Sequence, residues 1–167
     1  ANPRHASIIK MRTGVKRNGT IVAHEAELLF DTGAYAGFIP SGFVPAGSNA
    51  GGTYHIPHTR VVLRHVYTNK VSCGYMRGPG RQQGTFAMES QIDAVAQELG
   101  MDPAELRRSN VVRDGDETAI GERFEEIKAI EALDAAIEAS GYATAKPVGV
   151  GRGVSLGHQE SSGGESR

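Results

Sequence analysis

The residues of this 167-residue chain with the strongest claim to chemistry lie together in Met76-Arg77-Gly78-Pro79-Gly80-Arg81-Gln82-Gln83-Gly84. Gly78 and Gly80 let backbone approach a ligand where a side chain would collide, and Arg77 and Arg81 bring guanidinium forks suited to planar or anionic acceptors. If a helix starts just beyond, its first amide hydrogens favour the same kind of group. Taken alone, the residues describe either a loop for an anion or cofactor or a tight turn with solvent-facing arginines. Other candidates are weaker. His55 and His58, with His65, could gather zinc only by converging as three or four ligands, and we expect surface or loop histidines instead. Cys73, the single cysteine, could become a thiolate beside Arg77, but a quiet loop cysteine is expected. Asp31-Thr32-Gly33 would need a second carboxylate to act as an acid-base pair, so it reads as a strand-end turn. Glu89 is expected to cap or face a helix.

The elements that must position these residues follow from periodicity. Ser7 to Val15 and Ile21 to Phe30 form two apolar runs joined through Arg17-Asn18-Gly19, where Asn-Gly supplies the positive φ angles of a hairpin turn. The second run shifts its alternation, which predicts a bulge near His24 or Glu25. Residues 31–60 show no period and hold six glycines, at 33, 37, 42, 47, 51 and 52, so they read as a long functional or covering loop. A third strand is expected over Val61 to Tyr67. Ile92, Val95, Ala96 and Leu99 then take helical spacing, giving a helix over about 86 to 99 that ends at Gly100. Asp102-Pro103-Ala104-Glu105 opens a second helix, to about Asn110, with Asp as cap and Pro where no amide hydrogen is needed. A third helix is expected over about 125 to 139, and a last strand over Val148 to Leu156. The fold class is therefore α+β, a small mixed β-sheet with helices packed on one face.

Composition excludes several classes of partner. The formal charge is −1, with 18 basic and 19 acidic residues interspersed, which gives no footprint for nucleic acid or an anionic membrane. No apolar run reaches the roughly 18 to 20 residues needed to span a bilayer. One cysteine permits no intrachain disulfide and fits a reducing compartment, so a cytoplasmic location is expected. A start at Ala1 and an end in Gly-Gly-Glu-Ser-Arg suggest a piece of a longer protein, with Gln159 to Arg167 as frayed coil.

A larger pattern surrounds the glycine-arginine loop. Asp31-Thr32-Gly33-Ala34-Tyr35, Tyr54-His55-Ile56-Pro57, Thr68-Asn69, Met76-Arg77-Gly78-Pro79-Gly80, Gln83, Glu89 and Leu99-Gly100-Met101-Asp102-Pro103-Ala104-Glu105-Leu106-Arg107 with Asn110 occur in an order and spacing that resembles the molybdenum hydroxylases. That is the family of xanthine dehydrogenase, aldehyde oxidase and carbon monoxide dehydrogenase, and the match runs over about Arg4 to Asn110. The resemblance implies an internal fragment of the molybdopterin-binding large subunit, with residues 1–145 as part of the cofactor-binding domain and 146–167 as the truncated start of a following strand or domain. It implies oxidative hydroxylation of an aldehyde or N-heterocycle with oxygen from water, with iron-sulfur and FAD centres on partner subunits or domains. Arg77, Gly78 and Gly80 would bind the cofactor and Pro79 would line the substrate site. The general-base glutamate would lie outside this chain, so no catalytic residue is assigned, and the chain alone is expected to hold no cofactor and to be inactive.

Two departures bear on the substrate. The xanthine enzymes carry an aromatic residue two positions after the matching arginine, where this chain has Pro79, which argues against a purine. Their substrate-fixing arginine falls near Pro45. The carbon monoxide enzymes carry a cysteine directly after that arginine, where this chain has Gly78; Cys73 precedes it by four positions and does not fill the role. Two other readings stand beside this one: a non-catalytic assembly or ligand-binding module with a related fold, and an anion-binding domain that uses Arg77 to Gln83 for phosphate.

Overall fold

The computed structural model describes residues 3–35, 48–74, 76–117 and 123–158. Strand β1 (Ser7–Val15) pairs antiparallel with β2 (Ile21–Gly33), and β2 pairs parallel with β3 (His58–Tyr67), giving one mixed sheet in the order β1-β2-β3. Three helices follow, α1 (Arg81–Leu99), α2 (Pro103–Asn110) and α3 (Ala129–Ala139). The expected α+β architecture is thus the observed one.

The hairpin turn uses its two residues differently. Gly19 takes the left-handed backbone at φ 87°, whereas Asn18 is not left-handed and works through its side chain, whose Oδ1 accepts from the Thr20 amide and hydroxyl. The irregularity expected near His24 or Glu25 lies earlier, where Gly14 faces Ala23 but Val15 faces Ile21. Val22 is the extra residue. Beyond it the buried side of β2 alternates without a break through His24, Ala26, Leu28 and Phe30, as strand geometry requires.

Helix α1 begins five residues before its expected start. Gly84, which the sequence places at the end of the loop, lies within the helix and is buried on the same face as Met88, Ile92 and Ala96. Met88, Ile92 and Ala96 join Ile21, Tyr54 and Leu106 in one core cluster, and Ala26, Leu28, Phe30 and Ala50 form another. Helix α2 starts as expected: Asp102 accepts from the amides of Ala104 and Glu105, with Pro103 at the first helical position. Asn110, at its last position, accepts from the Ile21 amide and donates to the carbonyls of Gly19 and Leu106, tying the helix to the hairpin. Helix α3 starts later than the expected 125, because Glu126 is left-handed at φ 54° and cannot continue a right-handed helix.

The strand expected over Val148 to Leu156 is absent among the described residues. The segment runs without a ladder, Val148 and Val150 are exposed, and the Leu156 amide donates to Glu89 on α1 instead of to a sheet. Of the long loop, Asp31–Gly33 extends β2, Ser48–Gly51 is a 3-10 turn and His58–Arg60 opens β3. Pro45 and the tail 159–167 lie outside the described residues.

Candidate functional site

The loop between β3 and α1 is fixed at both ends. At its root, the end of β2 and the chain after β3 continue to bond past the sheet: Thr68 N donates to Gly33 O, Ala34 N to Lys70 O and Cys73 N to Thr32 O. Gly74 N donates to Pro3 O, which brings in the N-terminal segment. Gly33 is left-handed at φ +71°, and a Cβ on it would lie 2.3 Å from the Val71 carbonyl oxygen. Only glycine allows this approach. The Asp31 carboxylate accepts from Gly33 N at 2.9 Å, Thr68 Oγ1 at 2.6 Å and Lys70 Nζ at 2.8 Å. The Lys70 and Thr68 bonds, with the Gly33 amide, pull its pKa down from 3.8 to about 2.

At the far end, Gly80 caps α1 in the left-handed region at φ 79°. No side chain caps the first turn of the helix, and no acidic residue lies in it. Gln82 reaches back from that turn to the Arg77 carbonyl and is held in turn by Arg4, whose Nη1 donates to Gln82 Oε1 at 2.7 Å. Gln83 donates to the His5 carbonyl at 3.1 Å. Between the two anchors the chain crests at Met76 and Arg77, both exposed. Arg77 is left-handed at φ 41° and Gly78 at φ 62°. A non-glycine residue held in that region marks a backbone fixed by its surroundings.

The crest, with an exposed guanidinium, two left-handed glycines and a helix start that no side chain caps, has the donor set that an anionic, polar cofactor requires. The residues present therefore fit a molybdopterin, whose phosphate and pterin groups are hydrogen-bond partners for such donors. A separate groove runs between α1 and the C-terminal segment, lined by Arg81, Thr85, Phe86, Asp93, Val154 and His158 among others. Arg77, Gly78, Pro79 and Gly80 do not line it.

Residues 1–111 match the family model of the molybdopterin cofactor-binding domain. The chain belongs to that family. It is 38% identical over 113 residues to the xanthine dehydrogenase molybdenum-binding subunit of Escherichia coli, which covers 68% of this chain and 15% of that protein. It is 35% identical over 147 residues to the nicotinate dehydrogenase large molybdopterin subunit of Eubacterium barkeri, covering 85% of this chain and 35% of that one. Among solved structures, the aldehyde oxidoreductase of Desulfovibrio gigas superposes with a TM-score of 0.77 at 33% identity, over 84% of this chain and 15% of that one. The chain thus spans between about a seventh and about a third of the length of these proteins. Two of the three are named as subunits.

Within this molybdopterin-binding domain, Glu89 takes the structural role expected of it, though not as a cap. It sits in the middle of α1, 6% exposed, and accepts from Tyr54 Oη at 2.7 Å, Arg107 Nε at 2.9 Å and Leu156 N at 2.9 Å. Arg107, fully buried, also donates to Asp93 at 2.8 Å and to the Pro103 carbonyl at 3.1 Å. Burial and the facing Glu89 carboxylate push the Tyr54 hydroxyl far above its usual pKa, so it stays protonated and donates. Tyr54, Arg107 and Asn110 belong to the family pattern in the sequence, which by itself assigns them no role. For Arg107 and Asn110 the signal is a polar residue at a position whose helical phase points inward; Tyr54 lies outside the strands and helices and carries no such phase.

The histidines separate. His55 pairs with Asp116 at 3.1 Å, His58 opens β3 with its side chain exposed, and His65 packs against Phe30 with ring centres 6.1 Å apart. No group of three or more metal-binding side chains forms among the described residues. Cys73 is buried at the loop root, its sulfur 4.0 Å from the Val71 carbonyl. No helix among the described residues is long and apolar enough to cross a membrane.

Proposed function

We propose that this domain forms one wall of the molybdopterin site in a larger, cytoplasmic oxidoreductase that hydroxylates an aldehyde or N-heterocycle with oxygen from water. The carrying observation is the Arg77 crest: an exposed, left-handed cation on a loop anchored at both ends, in a chain that matches the molybdopterin-binding family. Arg77, with the backbone of Gly78 and Gly80, would hold the cofactor, and Pro79 would line the substrate space. When bound, the cofactor supplies the two-electron redox chemistry. The chain's own share is to present a guanidinium and backbone amides at fixed positions. Electrons would leave through iron-sulfur and FAD centres on partner subunits or domains, and the general-base glutamate would come from outside this chain. Residues 1–145 would make up this wall and 146–167 would lead into the next unit. Pro79 and Gly78 argue for a substrate that is neither a purine nor carbon monoxide.

The test is molybdenum and pterin analysis of the intact parent protein, in wild type and Arg77→Ala. The expected outcome is stoichiometric cofactor in the wild type and a loss of about tenfold or more in retained pterin or turnover in the variant, in line with loss of a charge-assisted contact. A parent devoid of molybdenum and pterin would overturn the reading. The 167-residue chain by itself is expected to retain no cofactor after gel filtration.

A further inference from the structure

We propose that Asp31 is the positioning residue of the Arg77 loop: its carboxylate clamps the loop root to the end of β2 and thereby sets where Arg77 stands. The inference rests on the reading of Arg77 as a cofactor contact.

Strand β3 ends at Tyr67, and residues 68–74 carry no regular structure, so something else must hold the chain on its course. The register of β2 against β3 slips between Asp31 and Gly33, which takes Thr32 out of the ladder. Thr32 then serves the loop: its carbonyl accepts from Cys73 N, and its hydroxyl donates to Val66 O at 2.9 Å. Asp31 stands directly before this slip. A carboxylate that closed only a turn of its own strand would bond Gly33 and stop there. This one also takes the Thr68 hydroxyl and the Lys70 ammonium, both on the chain leaving β3. Lys70 is 70% exposed, so the ion pair alone contributes little; the convergence of three donors from two segments is what fixes the geometry. Ser72 adds a hydroxyl bond to Ala34 O. From Cys73 to Arg77 is four residues, a reach of at most about 14 Å, and Gln82 holds the Arg77 carbonyl from the other side. A shift of the root therefore passes directly to the crest.

The experiment compares wild type, Asp31→Ala, Asp31→Asn and, as a control on the same strand, Glu25→Gln, by amide hydrogen exchange and trypsin cleavage after Arg77 in the 167-residue chain. Asp31→Ala is expected to accelerate exchange at Thr68, Cys73 and Gly74, and cleavage after Arg77, by about tenfold, with α1 and the β1–β2 ladder changed less than about twofold. Asp31→Asn keeps an acceptor for Gly33 and Thr68 and should recover most of the protection. Glu25→Gln should leave the loop as in the wild type. Unchanged exchange in the loop, or an equal rise throughout the chain, would overturn the proposal. In the intact parent, Asp31→Ala should lower pterin content along with Arg77→Ala. Loss in Arg77→Ala without loss in Asp31→Ala would refute the clamp, whereas no loss in Arg77→Ala would refute the cofactor reading and leave the exchange result to judge the clamp.

Discussion

Two buried carboxylates, Asp31 and Glu89, do similar bonding with cations in opposite surroundings. Each accepts three hydrogen bonds and each pairs with a cation, Asp31 with Lys70 and Glu89 with Arg107. Lys70 is 70% exposed and Arg107 is not exposed at all. Water competes for the Lys70 bond at the first site, and the other donors come from Gly33 and Thr68, so Asp31 acts locally on the loop that leaves β3. At the second the guanidinium is shut off from water, and loss of Arg107 would strand a buried carboxylate. The Glu89 network accordingly binds α1 to α2, to Tyr54 and to the segment at Leu156, and it supports the frame on which the Arg77 loop is hung. Placement of a site and stability of its scaffold are assigned to different ion pairs.

That separation can be broken most forcefully at Glu89. Arg107→Ala should lower unfolding free energy by about 3–5 kcal/mol, because the buried Glu89 carboxylate loses its cation, and Glu89→Ala by less, because Arg107 keeps its bonds to Asp93 and the Pro103 carbonyl. Urea denaturation measures this, and a cost near that of a surface pair would mean the two sites are alike after all. A smaller effect is expected from Gly33→Ala. The added methyl meets the Val71 carbonyl at 2.3 Å in a left-handed backbone, which should cost about 1–3 kcal/mol and loosen the Arg77 loop, read by the same denaturation and by cleavage after Arg77.

The smallest effect sharpens the comparison by pH. Burial lowers the pKa of His5, His24 and His65 from 6.5; for His5 the neighbouring His65 adds to this and Asp31 opposes it. The folded state thus favours the neutral rings, and this contribution, complete above pH 6.5, is lost as pH falls below it. Asp31 has its folded pKa depressed, so its contribution is complete above about 3.8 and is lost as pH falls through about 2. Thermal midpoints should therefore begin to decline near pH 6.5, and His24→Gln should flatten part of that limb. The Asp31 clamp should outlast it, with protection of the loop amides retained down to the acid range.

Much of the frame is legible without the structure. The hairpin, the third strand and α2 follow from alternation, from Asn18-Gly19 and from the Asp102-Pro103 start, all of which act over a few residues; that the third strand runs parallel to β2 is seen only in the structure. The Arg77 loop is legible as a cationic strand-to-helix junction, and its family pattern extends to the residues that support it. Expectation and structure part where local signals have competitors. Gly84 is read as loop but is buried within α1, Glu126 breaks a helix through one backbone angle, and Val148 to Leu156 forms no ladder, the Leu156 amide bonding Glu89 instead.

The sequence by itself determined the class of fold, the membership in a molybdopterin-binding family and the residues of the crest, because periodicity, turn chemistry and motif spacing are properties of neighbouring residues. Only the tertiary structure decided what Asp31, Glu89, Tyr54, Arg107 and Asn110 do. Asp31 and Lys70 are 39 positions apart, Tyr54 and Glu89 are 35, and Ile21 and Asn110 are 89. Side chains so distant in the chain meet only after the sheet and helices have packed, and a hydrogen bond is sensitive to displacements of a few tenths of an ångström.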